Sequence, residues 1–323
     1  MVSRMFRIIR RWSSAWKKLG AQVKRNMATS TTQLSKVVAL LSYSIYCGQS
    51  DCVFTRTNSH RTSDWRFDSN IINKEYELDL DNEDVLVFLH IQKTGGTTFG
   101  KHLVKNLDLE KPCICKRKVK KCKCLTRNKT LWLRGATWKT AALKCNGRQA
   151  TLQEVPFCYE AETWEGVDLQ TFLNCKYNLA NNRQTRMLAN LSKVNCYNST
   201  GMTDEERNAV MLESAKENLL NLDFFGLTEF QRETQLLFEH TFHIEFINDF
   251  IQHNRTHSQR TVITEAEKEQ IRDKNQLDIK LYEFAKELFN ERLKAMKMEE
   301  SEERKKIDGL TDTVLDNNGT MHR

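Results

Sequence analysis

The feature that most constrains the fold is the stretch VLVFLHIQKTGGTTFGKHL, Val85 to Leu103. A run of apolar strand formers leads straight into Lys-Thr-Gly-Gly-Thr-Thr, and a helix-like segment follows. Such a strand–loop–helix unit needs a sheet to bury its strand and a layer of helices to cover that sheet. Its glycines let the backbone approach an anion closely, with successive N–H groups converging on it. Thr97 or Thr98 can cap the following helix or donate a hydroxyl to an oxyanion. Lys93 adds a compact positive charge that would stabilise charge building on the bridging oxygen of a leaving group. The lysine precedes the glycines, unlike the order of a Walker A loop, and no Walker B pattern accompanies it. A metal-dependent nucleotide triphosphatase is therefore not indicated, and no metal is expected.

The rest of the chain alternates strands and helices in the same manner, which predicts an α/β fold with a mostly parallel central sheet. Thr203 and Glu206 stand at capping-box spacing ahead of a helix whose Leu212, Ala215 and Leu219 share one face. Asp223–Phe230 reads as a short buried strand ending in a turn. A further helix follows with Phe230, Thr234, Leu237 and Thr241 near one face. Thr264 and Glu267 repeat the capping-box spacing, and Leu281, Phe284, Ala285 and Leu288 supply an amphipathic stripe. Residues from 296 on are charged and are expected to fray.

Charge divides the chain. The net charge is +8, yet residues 1–36 hold nine Lys or Arg and no acid, so the body is near neutral. Its own basic patch is KPCICKRKVKKCK, Lys111 to Lys123, with seven positive charges. Nucleic acid would be drawn to that charge, but no aromatic-basic interleaving supports it, and no nucleic-acid partner is expected. The run VVALLSYSIYC, Val37 to Cys47, is short for a membrane span and closer to a signal h-region or short anchor. The Arg-rich leader before it also has the character of an amphipathic transit peptide. Residues 48–80 are polar and read as a stem.

Ten cysteines and sequons at Asn128, Asn190, Asn198, Asn254 and Asn318 favour an oxidising, glycosylating lumen. The spacing Cys113-x-Cys115…Cys122-x-Cys124 suits disulfides better than structural zinc, which prefers two to four intervening residues. Cys145, Cys158, Cys175 and Cys196 would join that framework, with the pairing undetermined by sequence.

At Val87–Leu107 the sequence resembles the 5′-phosphosulfate loop of the heparan sulfate 6-O-sulfotransferases. The resemblance continues in RGATWKT, CYEAETWEGVDLQTFLNCKYNLANNRQTRMLA, LESAKENL and FFGLTEFQRETQLLFEHTF, over roughly residues 80–295. It implies a P-loop-like sulfotransferase fold in a Golgi type II membrane glycoprotein. Residues 1–36 would be the cytosolic tail, 37–47 the short anchor, 48–80 the stem, 81–295 the lumenal domain and 296–323 a charged C-terminal tail. It implies sulfuryl transfer from 3′-phosphoadenosine-5′-phosphosulfate (PAPS) to the 6-hydroxyl of glucosamine in heparan sulfate. Position by position, His90, Ile91, Gln92, Lys93, Thr94, Gly95, Gly96, Thr97 and Thr98 form the cofactor loop, with Lys93 at the sulfuryl group. Lys120, Lys121 and Trp138 contact the glycan. Ile251, Gln252, His253, His257 and Ser258 match a stretch that closes over the nucleotide.

One departure from the family pattern matters. Leu133 runs directly into Arg134, where the family carries a long segment with a Gly-Leu-His-Ala-Asp element and an Arg-Asp-Pro-x-Ser-Arg element. The resemblance assigns the first the general base and the second the 3′-phosphate clamp, and the segment would include a core strand. A positioned base contributes roughly 10²–10⁴-fold. The remaining His60, His102, His240 and His243 read as stem, surface or core residues, and none is nominated as a replacement. The alternative reading is therefore a shortened, catalytically inactive form, or an incomplete gene model, that at most binds glycan or a partner.

Overall fold

Strand β2, Val85–His90, lies inside a four-stranded sheet of order β3-β2-β1-β6 in which every neighbouring pair is parallel. The fold is that of a computed structural model, which describes residues 35–41, 65–80, 84–91, 94–116, 122–137, 144–145, 148–160, 164, 166–250 and 263–318. For 35–41, 134–137, 144, 148–149 and 309–318 the description is of the backbone alone. β1 is Ser35–Leu41, β3 is Leu133–Thr137 and β6 is Phe224–Leu227. Between β3 and β6, two-residue strands β4 (Lys144–Cys145) and β5 (Arg148–Gln149) form a separate antiparallel pair.

Of the run expected as an anchor at 37–47, residues 37–41 fall in β1 and 42–47 lie outside the described residues. Val37–Leu41 is a sheet strand, in register with Val87–Leu89 of β2 on one edge and Phe224–Leu227 of β6 on the other. The physical reason is that a β-branched apolar run satisfies a doubly flanked strand as well as it satisfies lipid. Among the described residues no helix is long and apolar enough to cross a membrane. The sheet also runs without a gap from β2 to β6, because β1 occupies that position. The abrupt Leu133–Arg134 junction falls at the start of β3, where Leu133 pairs with Leu86 and Arg134 with Val87.

Helices cover the sheet. After α1 (Ser69–Ile72), α2 (Gly96–Lys105) rises from the glycine loop. Short helices α3 (Leu169–Asn174) and α4 (Arg183–Leu188) and a 3-10 turn at Leu191–Val194 lead to α5, Asp204–Asn221. α6 spans Gln231–Phe242, α7 Glu265–Lys274 and α8 Gln276–Asn318. Both capping boxes form as the spacing predicts: Thr203 with Glu206 opens α5, and Thr264 with Glu267 opens α7. Leu212, Ala215 and Leu219 of α5 are buried, as are Leu281, Phe284, Ala285 and Leu288 of α8. α8 continues as helix to Asn318, so the segment from 296 is not frayed through that point. Met296 is 3% exposed and anchors this part, and the Glu/Lys-rich residues beyond it are good helix formers.

The core under the loop is aromatic. Phe99 of α2 stacks on Phe224 of β6 at 6.3 Å and meets Phe238 of α6 edge-on at 6.0 Å, and Phe238 contacts Phe242 at 4.8 Å. Phe224, Phe238 and Phe242 are at most 1% exposed. Each such burial is worth about 1.5–3 kcal/mol, so the helix leaving the loop is fixed to the sheet. A second tie joins α4 to α8. The buried Asp278 carboxylate accepts from the Gln184 amide at 3.0 Å, the Thr185 amide at 2.7 Å and the Thr185 hydroxyl at 2.7 Å.

Candidate active site

The loop is built from the C-terminal end of β2. Its first residue, His90, ends the strand, and Ile91 is fully buried beneath the turn. Thr94 is fully buried, and its hydroxyl donates to the Ile91 carbonyl at 2.9 Å, closing the loop on itself. Gly95 then adopts a left-handed conformation with φ of 71° and serves as the N-cap of α2. The cap is thus a glycine rather than Thr97 or Thr98, and no side chain caps the helix. Thr98 and Phe99 donate their amides to the Gly95 carbonyl at 2.8 and 3.2 Å. Thr97 is exposed at the first turn. An uncapped helix N-terminus presents amide donors and the positive end of the helix dipole, the arrangement that receives phosphate.

Both glycines are sterically required. A methyl on Gly96 would lie 2.4 Å from Cδ2 of His90, and one on Gly95 would lie 2.8 Å from Cγ2 of Thr228. The loop is therefore clasped between the His90 ring on one side and Thr228 on the other. The His90 ring stacks on Phe88 at 5.8 Å, and burial lowers its pKa below the usual histidine value, so it is neutral at pH 7.

Thr228 escaped the sequence reading. It follows β6 directly, and in a parallel sheet the carboxyl ends of the strands share one edge with the loop after β2. Among the described residues its Oγ1 is buried without a hydrogen-bond partner beside the glycines. Such an orphaned hydroxyl, a cradle that a single Cβ would fill and an uncapped helix start together fit an anionic oxygen donor group. No periodicity or spacing would have singled Thr228 out, since only strand order brings it to Gly95.

Of the other expected site residues, Gln92, Lys93, Lys120, Lys121, Trp138, Ile251, Gln252, His253, His257 and Ser258 lie outside the described residues. Their flanks are informative. Thr137, the residue before Trp138, is in register with His90 across β2 and β3. Phe250, the residue before Ile251, packs 5.9 Å from Phe99 and 4.1 Å from His102 on α2. The preceding segment is stitched to the end of α2: Asn106 Nδ2 donates to the Asn248 carbonyl at 2.7 Å, and the Ile247 amide donates to the Asn106 carbonyl at 2.7 Å. The 138 segment thus follows β3, the neighbour of β2, and the 251 segment follows a coil packed on α2.

The basic cysteine-rich segment is a disulfide ladder. Cys113–Cys124 and Cys115–Cys122 form nested rungs about an antiparallel bridge between Ile114 and Lys123. The Trp132 amide donates to the Cys124 carbonyl at 3.0 Å, and the Leu86 amide donates to Trp132 at 2.7 Å. This hairpin is therefore bonded to β2 near its start, the opposite end from His90. Cys145–Cys196 and Cys158–Cys175 complete the pairing, so all eight cysteines among the described residues are oxidised.

Comparison with known proteins agrees with this architecture. Residues 121–285 match the model of the sulfotransferase family. Human heparan-sulfate 6-O-sulfotransferase 3 is 44% identical over 280 residues, covering 67% of this chain and 59% of that protein. Zebrafish heparan-sulfate 6-O-sulfotransferase 1-B is 38% identical over 319 residues, covering 80% of this chain and 78% of that protein. Chinese hamster heparan-sulfate 6-O-sulfotransferase 1 is 39% identical, covering 74% and 76%. The chain thus spans about three-fifths of the length of the human relative. The alignment of 280 positions is longer than 67% of 323 residues, so that relative carries internal residues without a counterpart here.

Proposed function

The chain belongs to the heparan-sulfate 6-O-sulfotransferase family, and we propose that it transfers a sulfuryl group from PAPS to the 6-hydroxyl of glucosamine in heparan sulfate. The observation that carries this reading is the cradle formed by Gly95, Gly96 and the buried, unpartnered hydroxyl of Thr228 at an uncapped helix start. Its relatives are named for that reaction. The surrounding fold is read as a P-loop-like sulfotransferase sheet.

PAPS supplies the activated sulfuryl group. The amides from Gly95 to Thr97 hold its 5′ anionic end, with the Thr228 hydroxyl donating from the β6 side. Lys93 stabilises the charge that develops on the leaving oxygen. The neutral His90 ring walls the loop without bringing a second positive charge. Residues Ile251, Gln252, His253, His257 and Ser258 close over the nucleotide, a role supported by the packing of Phe250 on α2. Lys120 and Lys121 meet the acidic glycan by charge, and Trp138 offers a flat apolar face to a sugar ring. An oxidising Golgi lumen is supported by the four disulfides and by the exposure of sequon residues Asn128, Asn190 and Asn198.

Transfer of radiolabelled sulfate from PAPS to desulfated heparan tests the proposal, with Lys93→Ala expected to lower the rate about 10²–10³-fold. A folded chain that binds 3′-phosphoadenosine 5′-phosphate but transfers no sulfate would replace this reading with the inactive, binding-only one. A version carrying the family segment restored between Leu133 and Arg134 would then recover transfer. Absence of both binding and transfer would overturn the site assignment.

A further inference from the structure

Away from the glycine loop, three elements bring a histidine and two carboxylates to one point. Nε2 of His240, near the end of α6, lies 3.3 Å from Oε1 of Glu75 and 3.3 Å from Oε2 of Glu299 on α8. All three donor atoms fall within 4.8 Å of one another. His243, one turn further on, places its Nε2 3.9 Å from the other oxygen of Glu75.

A proton on Nε2 can serve only one of these two carboxylates at a time, because the nitrogen carries a single N–H. A divalent cation bound by the ring nitrogen serves both. The two His240 distances accommodate that alternative as well as they accommodate hydrogen bonds. With Zn–N and Zn–O bonds of about 2.0–2.1 Å, the edge of a tetrahedral zinc site is about 3.3 Å. The two edges from His240, at 3.3 Å each, have that length. His243, with Nε2 3.9 Å from Glu75, is the nearest further nitrogen donor, and water would complete the coordination.

The donors are also held in place rather than hanging from loose chain. Glu75 is fixed by its neighbour Tyr76, whose amide donates to the Thr241 carbonyl at 2.8 Å and whose ring stacks on Phe242 at 6.2 Å. His240 sits beside the buried Thr241, whose hydroxyl donates to the Leu237 carbonyl at 2.6 Å. Glu299 lies one turn beyond the buried Met296 and two turns beyond the buried Arg292, which donates to the Ile71 carbonyl at 3.0 Å. Preorganised ligands of this kind lower the cost of metal capture.

We propose that Glu75, His240 and Glu299, with His243 as a reserve ligand, form a divalent-cation site of zinc type that clamps the segment before β2, the end of α6 and the distal part of α8. The site lies outside the residues assigned to sulfuryl transfer, and its test does not depend on that reaction. The metal-stripped full chain is titrated calorimetrically with Zn²⁺ alone, with Mg²⁺ as a comparison. The expected result is uptake of one Zn²⁺ per chain, with a rise in unfolding temperature and no comparable response to Mg²⁺, which prefers an all-oxygen octahedron. Glu299→Gln, on a half-exposed position that leaves the fold intact, should weaken Zn²⁺ binding at least about tenfold, since even outer-shell changes cost that much. His240→Gln should abolish it. No saturable Zn²⁺ uptake by the parent chain, or unchanged affinity in Glu299→Gln, would overturn the proposal whether or not His240→Gln folds.

Discussion

Gly96 and the imidazole of His90 are in such close apposition that a single methyl on the glycine would sit 2.4 Å from Cδ2 of the ring. The ring cannot retreat freely, because Phe88 stacks against it at 5.8 Å. Gly96→Ala should therefore displace His90 or open the loop. We expect a stability loss of about 1–3 kcal/mol, the usual cost of overpacking. Binding of 3′-phosphoadenosine 5′-phosphate should weaken in parallel, read by calorimetry alongside urea denaturation.

Thr228→Val separates a binding role from a structural one. It replaces a buried, unpartnered hydroxyl with a methyl of similar size. The ligand-free protein should be unchanged or slightly more stable, because an unsatisfied buried group is removed. Nucleotide affinity should nonetheless fall by about 1 kcal/mol, a typical single hydrogen bond. Equal affinity in the variant would exclude Thr228 from the anion cradle.

Ala39→Pro tests the central strand. Ala39 is in register with Leu89 on one side and Phe225 on the other. Proline there removes a ladder bond in a doubly flanked strand, which costs about 3 kcal/mol or more. The melting temperature should drop steeply. A variant as stable as the parent would show that Ser35–Leu41 contributes nothing to the sheet.

Asp278→Ala should be among the most damaging substitutions in the helical layer. The carboxylate accepts three hydrogen bonds at the start of α4, two of them from backbone amides of its first turn. The loss should reach about 3 kcal/mol, given that hydrogen bonds to charged groups are worth about 1.5–3 kcal/mol each and are not additive. Denaturant midpoints with an unchanged m-value would check it.

The burial of His90 gives the loop a pH signature. Its folded pKa is lowered from 6.5 by desolvation, so over the interval just below 6.5 the unfolded chain binds more protons than the folded one. Stability contributed by the neutral ring is fully present above that interval and is lost as the pH falls through it. Comparing unfolding temperatures of the parent and His90→Gln between pH 7.5 and 5.5 isolates this part. The parent should show the steeper decline.

The sequence by itself determined the elements whose causes are local. The strand, glycine turn and helix of Val85–Leu103 follow from a buried apolar run broken by two glycines, and the capping boxes at Thr203 and Thr264 follow from side chains three residues apart. The aromatic and aliphatic faces of α5 and α8 were legible for the same reason, since 3.6-residue periodicity is written in the chain. Tertiary structure decided what depends on partners far away. The run Val37–Leu41 is equally apolar in a membrane and in a sheet, and only the flanking edges of β2 and β6 place it as β1. Cysteine pairing depends on which sulfurs meet in space, so the nested rungs at 113–124 and 115–122 could not be read from spacing. Thr228 reaches Gly95 through strand order, and Glu75 reaches His240 and Glu299 through the docking of a segment on two helices. Local propensity sets which pieces form, whereas long-range packing sets which side chains share a site.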